Sequence, residues 1–197
     1  MKSPFPYEII ADSKTFYGRV EEIEKINNFI KTSNNILIHS KRRMGKSTLI
    51  QEVLRRNSNE YTCIYCDIFD ITSKEDFIKI LLKGISNIEQ SDFKAMYKKF
   101  SEIFKRVRVE PSFDPNTSKF SLKPIVATLS FDEMIEDFFL ALEEISKDKQ
   151  VVFAIDEFQQ ISLITDIKLD ALLRKYIQTL QNVSWIFLGS KRHLLTS

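Results

Sequence analysis

The stretch Ser40-Lys41-Arg42-Arg43-Met44-Gly45-Lys46-Ser47, followed by Thr48, decides how this chain is read. It follows the pattern G-x-x-x-x-G-K-[ST] at every position but the first, where Ser40 replaces glycine. A strand must end in a loop whose backbone N–H groups converge on phosphate oxygens, and the next helix must add its positive N-terminus. Gly45 lets the main chain come close without a Cβ, Lys46 supplies a point charge to the outer phosphates, and the Ser47 hydroxyl can ligate Mg²⁺. Arg43, Met44 and Thr48 complete the stretch expected to contact the nucleotide. The flanks meet the same requirement. Ile36-Leu37-Ile38 reads as a buried strand before the loop, and Leu49, Ile50, Val53 and Leu54 mark an amphipathic helix after it.

A second signal lies further along. Val151-Val152-Phe153-Ala154-Ile155-Asp156-Glu157 is an apolar strand that delivers two carboxylates at its C-terminal end. In α/β sheets, ligands bind beyond those strand ends. Asp156 is placed to hold Mg²⁺ through water, and Glu157 to polarise an attacking water. The spacing from the phosphate loop, roughly 110 residues, leaves room for the strand and helices between. A third strand, Val183 to Leu188, runs into Gly189-Ser190-Lys191-Arg192. Ser190 there either orients the lytic water or caps a following helix.

The remaining periodicities alternate strand with helix, which favours a parallel α/β sheet. Residues 19–32 carry Ile23, Ile26 and Ile30 on one helical stripe, and Thr62 to Cys66 reads as a strand. Phe77 to Ile88, Phe93 to Phe104 and 166–180 are amphipathic helices. Ser130 with Glu133 forms a capping box that opens a helix with Met134, Ile135, Phe138, Leu142 and Ile145 on its core face. The rhythm breaks at 106–129, where period-two alternation surrounds Asp114-Pro115-Asn116. Pro111 and Pro124 each remove a ladder donor, so these strands belong at an edge or outside the main sheet, as a projecting β-hairpin over 106–126.

Composition narrows the classes. The chain has 197 residues, 43% hydrophobic and 28% charged, which excludes a disordered or membrane-embedded protein. Lys plus Arg number 29 against 27 acids, for a net charge of +2, so a generally basic nucleic-acid-coating surface is excluded. Cys63 and Cys66 have the spacing of a redox or zinc half-site, but no second pair exists, and an odd separation in a strand turns them to opposite faces. Two unpaired thiols and no signal-peptide pattern suit a cytoplasmic protein.

Together with Phe16-Tyr17-Gly18-Arg19 and Glu21-Glu22, these motifs make the chain resemble the AAA+-related archaeal-type/STAND ATPases of bacteria and archaea. The resemblance runs from about residue 4 to 197. It implies a P-loop NTPase-type parallel sheet with strand order 1-4-3-2, flanked by helices, with ATP and Mg²⁺ as cofactors. By matching position, Lys46 and Ser47 would be Walker A, Asp156 and Glu157 Walker B, and Ser190 sensor 1. The box of Phe16, Gly18 and Arg19 would lie beside the nucleotide base.

The function expected is Mg-dependent ATP binding and hydrolysis that drives a conformational switch in a protein partner or in a C-terminal region. The alternative is a nucleotide-binding switch or scaffold with little turnover, which would not need Glu157 as a base. Lys41-Arg42-Arg43 and the Lys98, Lys99, Lys105, Arg106, Arg108 cluster allow nucleic-acid binding, but the first suits phosphates of ATP and the second a solvated helix face. Residues 1–197 are expected to form one ATPase domain that is C-terminally incomplete, because the resembled family adds a fifth strand beside the first. Without it, Ile36 to Ile38 would be an open sheet edge.

Overall fold

The computed structural model describes residues 16, 18–86, 88, 109–114, 119–124, 130–165 and 168–190. In chain order they form α1 (Val20–Lys31), β1 (Ile36–His39), α2 (Lys46–Asn57), β2 (Thr62–Asp67), α3 (Lys74–Ser86), β3 (Val109–Asp114) and β4 (Lys119–Pro124). They continue with α4 (Phe131–Asp148), β5 (Val151–Asp156), a 3₁₀ segment (Phe158–Leu163), α5 (Leu169–Ile177) and β6 (Val183–Gly189). The amphipathic segment Phe93–Phe104, the Pro115-Asn116 turn, the Lys98–Arg108 cluster, Tyr17, Lys191 and Arg192 lie outside the described residues.

Strands β1, β6, β5 and β2 form a parallel sheet in that order, which is the expected 1-4-3-2 arrangement of the four core strands. The two inner strands are the most apolar, and all six positions of β5 are buried. Such continuous apolar runs are what a sheet covered on both faces requires. One face packs on α1 and α2 through Ile30, Ile50, Val53, Val152, Ala154, Ile186 and Leu188. The other packs on α3, α4 and α5 through Phe77, Phe138, Leu173, Phe153 and Trp185. Phe153 and Trp185 lie side by side there, ring centroids 5.0 Å apart. A polar tie fixes the end of α1 to the sheet: Gln150 Nε2 donates to the Ile30 carbonyl at 2.7 Å and to Ser184 Oγ at 3.1 Å.

Local signals account for most boundaries. Ser130 Oγ accepts from the Glu133 N–H at 3.3 Å and the Ser130 N–H donates to Glu133 Oε2 at 2.9 Å, so the capping box forms and starts α4. Cys63 and Cys66 are free thiols on opposite faces of β2, and burial pushes the Cys66 thiol up to about 12. Gly84 has a packing reason: a Cβ there would stand 2.3 Å from Cys66 Sγ, so its absence lets α3 approach β2. Strands β3 and β4 pair antiparallel as a sheet of their own, with Ser112 opposite Ser121, outside the parallel sheet as their prolines require.

Two expectations need correction. The Ile36–Ile38 run is not a buried strand: β1 is an edge of the sheet, Ile36 and Ile38 are half-buried, and Leu37 is 46% exposed. Its apolar residues serve one face only: Ile36 and Ile38 pack against the α1–α2 core, while Leu37 on the other face is exposed, and among the described residues no strand pairs with its outer side. The helix read over 166–180 is shorter, Leu169–Ile177, and ends where Gln178 and Thr179 bond back onto the last turn.

Candidate functional site

The parallel order brings the C-terminal ends of β1, β6 and β5 side by side. Each end carries one part of the predicted constellation. The 40–45 loop leaves β1 and Ser190 follows β6, while β5 ends in Asp156, with Glu157 next. Because β6 lies between β1 and β5, Ser190 lies at the strand end between the loop and the two acids.

The loop is shaped by two residues in the left-handed region, Arg43 at φ 65° and Gly45 at φ 70°. Alternation of this kind turns successive N–H groups toward a common concavity, the backbone geometry that binds anions. Helix α2 begins at Lys46 with no acid in its first turn, and among the described residues no side chain caps its N-terminal donors. Ser47 and Thr48 lie half-buried in that turn, while Arg43 and Met44 are exposed. Lys46 is only 6% exposed and folds onto its own loop, where Nζ donates to the Ser40 carbonyl at 3.3 Å.

Arg19 reaches this loop from the start of α1. Its guanidinium donates to the Gly45 carbonyl at 3.0 Å and the Met44 carbonyl at 3.3 Å, and it is held from behind by Glu22 at 2.7 and 2.8 Å. Both carbonyls are thus turned toward Arg19. Phe16 packs half-buried against the α1–α2 core, and Gly18 takes φ 75° where the chain turns into Arg19.

On the acidic side, Asp156 is 1% exposed and both of its oxygens have donors. Oδ1 accepts from the Glu157 N–H at 2.8 Å and Oδ2 from the Tyr65 hydroxyl at 2.7 Å. Burial pushes the Tyr65 phenol up, and the Asp156 charge adds to the effect. Asp67, paired in register with Asp156, is also raised, first by burial and against a hydrogen bond from the Phe69 N–H, with Asp156 and Glu157 adding to it. Glu157 holds a left-handed backbone, φ 54° and ψ 37°, which for a non-glycine residue costs on the order of 1–3 kcal/mol. Its carboxylate accepts from Gln159 Nε2, and Gln159 also joins Ser190. Tyr65 and Gln159 were not singled out in the sequence. Gln159 had a faint signal in its position two residues after Glu157, while Tyr65 had none.

Residues 16–195 match the family described as an ATPase domain predominantly from Archaea. The chain belongs to that family. This ATPase domain matches none of the curated proteins. Among solved structures it is similar to a Walker-type ATPase of Pyrococcus abyssi, with 22% identity and a TM-score of 0.62 over 98% of this chain and 51% of that one. It is also similar to Cdc6p of Pyrobaculum aerophilum, with 10% identity and a TM-score of 0.55 over 98% of this chain and 44% of that one. An ORC1 protein of Aeropyrum pernix, solved in complex with DNA, gives 15% identity and a TM-score of 0.56 over 92% and 41%. At these identities the likeness is one of fold. The ATPase domain spans about half the length of the first of these structures. Among the described residues no helix is long and apolar enough to cross a membrane.

Proposed function

We propose that this ATPase domain hydrolyses Mg-ATP at the β1–β6–β5 strand ends and couples nucleotide state to a conformational switch. In this reading the loop N–H groups and Lys46 bind the phosphates, Glu157 takes the proton of the attacking water, and Ser190 orients that water. Arg19 shapes the loop through its carbonyls, with Phe16 and Gly18 setting the approach of that segment to the nucleotide, and Arg43, Met44 and Thr48 line its path. The observation that carries the reading is the strand order, which gathers three segments far apart in sequence at the C-terminal end of the sheet.

The donor set suits Mg²⁺. Among the described residues there is no cluster of three or more His, Cys, Asp or Glu able to cage a metal. A cation held chiefly by phosphate and water, with one or two protein oxygens, needs no such cage. Ser47 and Asp156 would hold it, and Mg²⁺ would offset charge on the β- and γ-phosphate oxygens.

The output of the switch would be a protein partner or a C-terminal region beyond these residues. Support comes from the outer edge of β1, which no strand pairs among the described residues, and from a groove of about 640 Å³ beside it, lined by Phe158, Ile161, Leu169, Leu173 and Phe187. Phe158 directly follows Glu157, so a segment seated there would touch the residue next to the proposed base. Lys41, Arg42 and Arg43 are assigned to the phosphate loop rather than to nucleic acid.

Two variants test the reading. Lys46→Ala should lose the stabilisation that ATP confers, about 2.7 kcal/mol at 100 times the dissociation constant. Glu157→Gln should keep that stabilisation and lose turnover. Retained ATP stabilisation in the first, or unchanged hydrolysis in the second, refutes the corresponding assignment.

A further inference from the structure

Gln159 is a buried polar side chain whose hydrogen bonds run to the two residues proposed to act on water. It lies second in the 3₁₀ segment and is 6% exposed. Its Nε2 donates to Glu157 Oε2 and, at 3.3 Å, to Ser190 Oγ, while its Oε1 accepts from the Ser190 N–H at 3.3 Å. A single amide therefore joins the end of β5 to the end of β6. Ser190 Oγ and N–H meet the two different atoms of that amide, so the amide is tied to the β6 end at both its polar atoms.

The carboxylate of Glu157 needs such a partner. It stands on two methylenes, on a residue with a left-handed backbone at φ 54°, just past the last residue of the strand. A carboxylate free to rotate there would spend most of its time out of line with any water it should activate. Orientation errors of about 1 Å cost on the order of 100-fold in rate.

We infer that Gln159 is a positioning residue for hydrolysis: its amide holds the Glu157 carboxylate in place and links it to Ser190, so the state of the β6 end is passed to the base. This rests on Glu157 being the base and adds the element that aims it. Tyr65 holds Asp156 from the opposite side, so the two acids are positioned by different residues.

The test uses Gln159→Met, which keeps length and removes both polar atoms, and Gln159→Asn, which keeps the amide but is one methylene too short to span both partners. For each, kcat and KM for Mg-ATP are measured together with the melting temperature. Both variants should lose about 10- to 100-fold in kcat, with KM and ATP-induced stabilisation close to wild type. Adding Ser190→Ala to either should cost less than Ser190→Ala costs the wild-type chain, because the part of its effect carried through Gln159 has already been cut. A kcat near wild type in either variant overturns the proposal, as do losses that multiply with Ser190→Ala. If the buried methionine destabilises the domain, the asparagine variant carries the test. Glu157→Gln, assayed alongside, separates the two failures. Wild-type turnover in that variant sinks the reading of Glu157 as base, whereas an inactive Glu157→Gln beside an unaffected Gln159→Met sinks only the clamp.

Discussion

The Tyr65 hydroxyl, on edge strand β2, donates to Asp156 Oδ2 at 2.7 Å across a sequence separation of 91 residues. Asp156 is buried, and its other oxygen is taken by the Glu157 N–H, so this hydroxyl fixes the plane of the carboxylate. Tyr65→Phe leaves a buried carboxylate oxygen without its donor, a change that typically costs about 1–3 kcal/mol. Denaturant unfolding without nucleotide should show that loss, and saturating Mg-ATP should recover part of it. An unchanged midpoint would mean that the bond contributes nothing to stability.

Arg19 meets the phosphate loop at its carbonyls, donating to those of Met44 and Gly45. Arg19→Ala should therefore weaken ATP binding by releasing loop geometry, by about 1.5–3 kcal/mol, the scale of one hydrogen bond to a charged group. Arg19→Lys should rescue only part of the loss, since an ammonium cannot hold Glu22 through two nitrogens and still reach Gly45. Calorimetric titration with ATP reads both variants. Wild-type affinity in Arg19→Ala would remove the brace.

Ser40 stands where the pattern has glycine, yet the atom it offers Lys46 is its backbone carbonyl, at 3.3 Å. Among the described residues its hydroxyl makes only a long contact to the Lys41 carbonyl, 3.4 Å. Ser40→Gly should change nucleotide affinity by less than about 1 kcal/mol, the scale of a glycine backbone effect. A tenfold change in the dissociation constant in either direction would assign the side chain a role.

Gly84 is the point where α3 meets β2. A methyl group there would lie 2.3 Å from Cys66 Sγ and 3.2 Å from Ile64 Cγ2. Gly84→Ala should destabilise the domain by about 1–3 kcal/mol, the usual cost of overpacking. Cys66→Ala in the same chain should return part of it by removing the colliding sulfur. If the double variant is no more stable than Gly84→Ala alone, measured by thermal unfolding, the collision is not the cause.

Glu52 is buried on α2, with Arg55 and Arg56 on its two oxygens at 2.8 and 2.7 Å. The hydrogen bond from Arg55, with that from Arg56 and against burial, holds its carboxyl at about 2 instead of 4.5. A depressed acid stabilises the fold above its unfolded pKa, and that contribution is lost as pH falls through the folded one. Glu52→Gln should thus be less stable than wild type near neutral pH, by about 1–2 kcal/mol after solvent screening of the exposed arginine ends. The gap should close between about pH 4.5 and 2. A gap independent of pH would trace the loss to packing.

Much of this molecule is determined by local sequence. The GKS pattern, the apolar β5 ending in two acids, the Ser130–Glu133 capping box and the opposite facing of Cys63 and Cys66 each depend on residues within a few positions of one another. Backbone preference and side-chain period carry that kind of information directly. Tertiary structure decided the rest. That Arg19 turns the loop carbonyls, that Tyr65 seats Asp156, that Gln159 joins Glu157 to Ser190, and that Gly84 yields space to Cys66 all depend on which strands are neighbours and in what register. The same ordering left Ile36–Ile38 at an edge although its composition is that of an interior strand. An apolar strand can be read from its residues alone, but its neighbours are chosen by how helices on both faces share the buried surface. No local pattern encodes that choice.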